Sequence, residues 1–222
     1  MAEREILMRV DELYNDEKLD KRDMTRNRIV NASLELFLSE GFRDTTMARI
    51  AKESGISRKT LYEYFKNKEE ITTIIDMCLI REYNRIMEEA MPKLCGNGYN
   101  KLKQYFSIID NNIDNFKDTI IFTGIYDYNV KTNEINSSLR DEFYDTIKQA
   151  TWYLTEILKQ GIEDGSIKDY IDPHLTANTI GDSWLSLAQR VFRRHKSLDM
   201  SKEESRKMIT LQLSLFLEGL KA

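Results

Sequence analysis

The sequence predicts an all-α protein of about nine helices, and three observations lead there. Its 222 residues include only two prolines and nine glycines. Apolar residues recur three and four positions apart along most of the chain, the spacing that puts them on one helical face. No alternating apolar and polar run bounded by turn residues competes as a strand. The length is enough for one large or two modest domains with a real core.

Residues 1–20 come first. Ile6, Val10 and Leu13 lie at near-helical spacing, but the segment has no core of its own, so it reads either as a disordered arm or as a short docked helix. The first long helix is expected from about Asp23 to Glu40. Ile29, Ala32, Ser33, Leu36 and Phe37 fall on one stripe there, and Gly41 ends it. Ser33 interrupts the apolar stripe with a hydroxyl, which can bond back to the preceding turn.

Between Gly41 and Glu70 the chain reads GFRDTTMARIAKESGISRKTLYEYFKNKEE. Thr45 and Thr46 can cap a helix beginning near Met47, because hydroxyl oxygens accept the first unpaired backbone N–H groups. Ile50 and Ala51 face inward, and Gly55 supplies the positive φ of a sharp turn. Ser57 caps a further short helix, anchored by Leu61 and Phe65 and exposing Arg58, Lys59 and Thr60. Two short helices joined this way form a helix-turn-helix, whose second helix enters the DNA major groove.

Asn67 with Glu70 three residues on forms a capping box for a long helix carrying Ile71, Ile74, Ile75, Cys78 and Leu79 and ending by Pro92. Further helices are expected at about 100–114, 117–130 and 138–163 from their apolar spacing. Asp172–Pro173 caps another that runs to about His195. Ser201 and Glu204 form a capping box for the last. Leu175, Ile180, Trp184 and Leu187 give one terminal helix an apolar face, and Leu213, Phe216, Leu217 and Leu220 give the other its own.

The formal charge of −4 conceals a segregation. Residues 1–20 hold three basic and seven acidic groups, and residues 71–222 hold 19 and 22. Only residues 21–70, with eleven basic and eight acidic groups, are positive. Local charge decides, because salt screens over about 8 Å. No apolar run approaches the ~20 residues of a membrane span, and the acidic start is not a secretory signal, so a cytoplasmic protein with no membrane partner is expected. Cys78 and Cys95 lack metal-ligand spacing and read as reduced thiols. His174 and His195 stand at no triad or metal spacing, and Gly96–Gly98 is too short for a phosphate loop. Neither an enzyme, a metal site nor a cofactor is expected.

The run RNRIVNASLELFLSEGF (Arg26 to Phe42), the segment TTMARIAKESGISRKTLYEYF and the NKEE that opens the long helix together resemble the N-terminal domain of the TetR family of bacterial transcriptional regulators. The likeness covers roughly fifty residues without a gap, and beyond about Asp76 it is architectural only. It implies a helix-turn-helix DNA-binding domain at 21–70 and a larger helical effector-binding and dimerisation domain at 71–222. DNA contacts map onto Thr46, Ser57, Arg58, Lys59, Thr60, Tyr62, Tyr64 and Lys68. Physical chemistry agrees: Arg58 and Lys59 can reach guanine O6 and N7, Thr60 a base edge, and the tyrosines and Lys68 the backbone. Arg49 is equally suited to DNA or to solvent.

The resemblance also implies a homodimer on a palindromic operator in double-stranded DNA, released by a small-molecule effector of unstated identity. The effector cavity would be lined by Phe106, Phe122, Tyr126, Tyr144, Trp152 and Trp184, each of which serves equally well as ordinary packing core. The dimer interface would use Trp184, Leu187, Leu213, Phe216 and Leu217. An alternative is a co-activator that keeps the fold but works through protein contacts, which the basic recognition helix disfavours.

Overall fold

A computed structural model of the chain describes residues 21–194 and 200–222, so residues 1–20 and His195 lie outside the described part. Among the described residues there are nine α-helices and no strand. They are α1 (Lys21–Ser39), α2 (Met47–Glu53), α3 (Arg58–Tyr64), α4 (Lys68–Ala90), α5 (Gly98–Asn111), α6 (Lys117–Asn129), α7 (Ser137–Glu163), α8 (Pro173–Arg194) and α9 (Lys202–Leu220). The all-α expectation holds. No helix among the described residues is long and apolar enough to cross a membrane.

The chain forms two compact units. The first runs up to Glu82 and includes Ile125–Thr146; the second comprises Tyr83–Gly124 and Ile147–Ala222. The compact units therefore do not coincide with the expected division at residue 70. Polar ties explain why 125–146 belongs with the first unit. Asn67 donates to the Glu134 carbonyl at 3.1 Å, Asn136 donates to Glu70 at 3.2 Å, and Arg81 pairs with Glu142 at 2.6 Å.

In the first unit the α1 stripe is buried as spaced, and Val30 and Leu34 are buried beside it. The wider buried face marks a helix enclosed on more than one side. Ser33 donates to the Ile29 carbonyl at 2.7 Å, which satisfies the buried hydroxyl within its own helix. Gly41 closes α1 with φ +87°. Upper α4 is buried all round, including Thr72, Thr73 and Asp76. The two threonine hydroxyls donate back to the carbonyls of Lys68 and Glu69 at 2.7 and 2.8 Å. Near Phe143, Tyr126 stacks at 4.5 Å between ring centroids.

The second unit has its own core. Met87, Leu102, Phe106, Leu154, Leu158 and Ile209 are among its buried members. Tyr83 and Tyr105 share a hydrogen bond inside it, and burial pushes the Tyr105 phenol up to about 12. The start of α5 is pinned by Asp164, which accepts from the Gly98 N–H at 2.6 Å, and by Ser166, which accepts from the Tyr99 N–H at 2.9 Å. Bonds from Ser166 and from the Gly98 amide hold the Asp164 carboxyl below its usual range. At α9 the Ser201–Glu204 capping box is complete in both directions.

Candidate nucleic-acid interface

The recognition element is built from the turn outward. Thr46 caps α2 by accepting from the Arg49 N–H at 3.2 Å. Thr45 does not share that role: its hydroxyl donates to the Gly41 carbonyl at 2.8 Å and ties the α1 exit to the α2 entry. Ile50 and Ala51 are buried, and Gly55 turns the chain at φ +66°. Ile56 then donates to the Ala51 carbonyl at 3.0 Å, closing the turn. Ser57 caps α3 by accepting from the Thr60 N–H at 3.0 Å, and the two hydroxyls pair at 2.9 Å.

Leu61 is fully buried and Phe65 nearly so, which fixes how α3 is rolled. That roll exposes Ser57, Arg58, Lys59 and Tyr62, while Thr60 and Tyr64 are half-buried. Tyr62 is 49% exposed on the same short helix as the two cations. A helix face carrying two cations, two hydroxyls and a phenol suits phosphate positioning and base-edge readout together.

Two basic residues are turned to other work. Lys68 donates to the carbonyls of Phe42 at 2.6 Å and Thr45 at 3.2 Å, with its ammonium 4.0 Å from the Phe42 ring centroid. Partial burial lowers its pKa. The structure thus places Lys68 as a brace that gathers the α1–α2 connection onto the start of α4. Arg49 bonds Glu53 at 2.6 Å and Glu40 at 3.1 Å, so its charge is balanced within the domain.

Arg22 and Arg26 stand beside this surface, although neither is among the expected DNA contacts. Arg22 lies over the Tyr64 ring at 5.9 Å and Arg26 over Phe65 at 6.0 Å, which puts two α1 cations beside the end of α3. The signal was present in the basic start of α1, KRDMTRNR, but only the fold brings it to the recognition helix.

The six proposed effector-lining aromatics divide between the two units. Tyr126 and Tyr144 belong to the first unit; Phe106, Phe122, Trp152 and Trp184 belong to the second. Phe106, Phe122 and Tyr126 are buried, whereas Tyr144 and Trp152 are 42% and 53% exposed. Those last two are corrected as cavity-lining groups in the single chain. Each falls on the outward face of α7, and Trp152 packs edge-on against Tyr153 at 5.4 Å. Burial lifts the Tyr126 phenol to about 12.

The terminal helices also need one correction. Leu213 is only 4% exposed and sits in the unit's own core, because it shares a stripe with Ile209 and Leu220. Trp184, Leu187, Phe216 and Leu217 are half-buried and pack against that core. The outward apolar face of α9 is carried by Met208, Leu211 (59% exposed) and Leu215 (63% exposed).

A family model described as bacterial regulatory proteins, tetR family, matches residues 29–72. An uncharacterised HTH-type transcriptional regulator of Bacillus subtilis, YhgD, is 28% identical over 173 residues, covering 77% of this chain and 86% of that protein. The fatty acid metabolism regulator protein of the same organism is 28% identical over 159 residues, covering 69% and 76%. In three dimensions, FadR of Bacillus subtilis in complex with stearoyl-CoA superposes with a TM-score of 0.62 at 24% identity, over 86% of this chain and 97% of that one. The matched segment holds most of α1, the whole helix-turn-helix and the first turn of α4, and both of these relatives are regulators. Over residues 29–72 the chain carries the DNA-binding segment of the TetR family of bacterial transcriptional regulators.

Proposed function

We propose that this DNA-binding regulator acts as a homodimeric repressor on a palindromic operator and is released by a long-chain acyl-coenzyme A. The observation that carries the DNA side is α3, rolled by Leu61 and Phe65 so that Arg58, Lys59 and Tyr62 face solvent. Thr46, Ser57, Thr60 and Tyr64 would complete the contact, with Arg22 and Arg26 flanking it and Lys68 holding the scaffold. Two copies would read half-sites about 34–36 Å apart, or a multiple of that.

Dimerisation is supported by the exposed apolar face of Met208, Leu211 and Leu215 on α9, with Leu175 exposed on α8. A second copy would bury a face that water otherwise covers at a cost of roughly 25 cal/mol per Å². Residues 21–70 would read DNA and residues 71–222 would bind effector and partner. Support for an acyl effector comes from the fatty acid metabolism regulator among the relatives and from the stearoyl-CoA complex of the similar fold. To release DNA, the ligand must bind the non-DNA state more tightly, by about 1–3 kcal/mol for a typical coupling.

The test is a mobility-shift titration on DNA flanking the protein's own gene, across a salt series and with palmitoyl-CoA added. A steep salt slope and release by palmitoyl-CoA are expected. Salt-insensitive or absent binding to every flanking fragment defeats the operator reading, and indifference to palmitoyl-CoA defeats the acyl effector.

A further inference from the structure

On α8, Ser186, Gln189, Arg190 and Arg193 line an open groove of about 520 Å³ within the second unit. Spacings of three and four residues put all four side chains on one helical face. Each of these side chains can donate a hydrogen bond, and none carries a negative charge. Among the described residues, neither Arg190 nor Arg193 is bonded to a carboxylate, and no carboxylate lines the groove. Gln189 adds a further donor, since its buried Nε2 has no hydrogen-bond partner. Its amide lies flat over Gly124, within 3.1–3.4 Å of where a Cβ would stand there, so the glycine gives the amide its room.

Two unpaired guanidiniums side by side repel, and a buried amide N–H without an acceptor costs about 1–3 kcal/mol. One oxyanionic ligand on the guanidiniums would relieve the first, and would relieve the second by drawing the amide away from Gly124 into the groove. Guanidiniums favour phosphate because parallel N–H groups engage two oxygens at once. The groove is far larger than one inorganic ion and falls in the range of about 300–1,000 Å³ typical of small-molecule sites.

We infer that this groove binds the phosphate groups of a coenzyme A thioester, with Arg190 and Arg193 on the oxyanions and Ser186 and Gln189 as neutral donors. The inference rests on the acyl-coenzyme A reading for the choice of phosphate carrier, while the anion preference stands on the groove alone. Phosphate recognition here would supply affinity independent of acyl length, leaving chain-length selection to the apolar part of the ligand site.

Titration calorimetry on the full chain tests this with four probes: free coenzyme A, pyrophosphate, palmitoyl-CoA and palmitate. Wild type is expected to bind the first three with affinity that falls as salt rises. The double variant Arg190→Gln/Arg193→Gln is expected to bind coenzyme A and palmitoyl-CoA at least tenfold more weakly, with palmitate affected little. Gln189→Leu should weaken coenzyme A by a smaller factor. Equal binding of coenzyme A by wild type and the double variant overturns the groove, even if palmitoyl-CoA still releases DNA from both. Conversely, arginine-dependent binding of coenzyme A without any release of DNA by palmitoyl-CoA keeps the groove and defeats the acyl effector. Arginine-dependent binding of pyrophosphate but not of coenzyme A overturns the assigned carrier. Conversion of the double variant to monomers in sedimentation also overturns the proposal, since the arginines would then be holding a second copy.

Discussion

Glu70 accepts a hydrogen bond from the Lys66 backbone N–H at 3.0 Å and another from the Asn136 amide at 3.2 Å. Lys66 lies in the connection leaving α3, and Asn136 caps α7 by accepting from the Leu139 N–H at 2.9 Å. One buried carboxylate therefore joins the exit of the recognition helix to the α6–α7 connection. Glu70→Ala is expected to lower stability by about 1–2 kcal/mol, through the loss of two hydrogen bonds. It should also weaken operator binding, by loosening the end of α3. A double-mutant cycle with Asn136→Ala checks the link: a coupling energy near zero would show that the contact carries nothing.

Base reading should reside in Arg58 and Lys59, and backbone positioning in Tyr62. Arg58→Ala or Lys59→Ala should weaken binding to the operator by about 1–3 kcal/mol if the side chain makes a bidentate base contact. Tyr62→Phe should weaken operator and scrambled duplexes alike. Isotherms on both duplexes distinguish the roles, and unchanged affinity in all three variants would remove α3 from the interface.

The α9 faces give opposite outcomes for neighbouring leucines. Leu211→Glu and Leu215→Glu should leave the fold intact and yield monomers in sedimentation, since both side chains point out of the protomer. Leu213→Glu should instead unfold the unit, because it places a carboxylate among Ile209 and Leu220 in the core. Persistent dimers in both exposed-face variants would move the interface elsewhere.

Local rules were legible in the sequence where one segment determines its own structure. Caps at Thr46, Ser57 and Ser201 and the positive-φ turns at Gly41 and Gly55 all stand as their residue types require. The Asn67–Glu70 box is half of what the pattern implies: Asn67 accepts from the Glu70 N–H at 2.9 Å, but Glu70 reaches one residue further back, to Lys66. What stayed hidden depends on distant chain. Lys68 reads as an exposed cation until the Phe42 and Thr45 carbonyls arrive beside it. The α9 repeat offers two apolar stripes on nearly opposite faces, about 150° apart at 100° per residue, and spacing cannot say which faces the protomer's own core. Leu213 took the inner one and Leu211 the outer.

Gly98 in α5 and Gly161 in α7 leave no room for a side chain. At Gly98 an added Cβ would stand 2.2 Å from the Gly161 Cα and N and 2.9 Å from the Gln160 carbonyl carbon. Those neighbours are backbone, so α5 and α7 would have to separate. At Gly161 an added Cβ meets Ile167 side-chain atoms at 2.3–2.9 Å, and that isoleucine is itself buried. Gly98→Ala should therefore destabilise by about 1–3 kcal/mol or more, as overpacking does, and no single side-chain truncation should rescue it. Gly161→Ala should be costly alone yet much less so beside Ile167→Ala, which vacates the space the new methyl needs. Urea midpoints for the two single glycine variants and for Gly161→Ala/Ile167→Ala measure this, with an unchanged slope showing that the denatured state is not the cause. Against a total stability of roughly 5–15 kcal/mol, a Gly98→Ala midpoint equal to wild type would mean that the helices do not cross this closely.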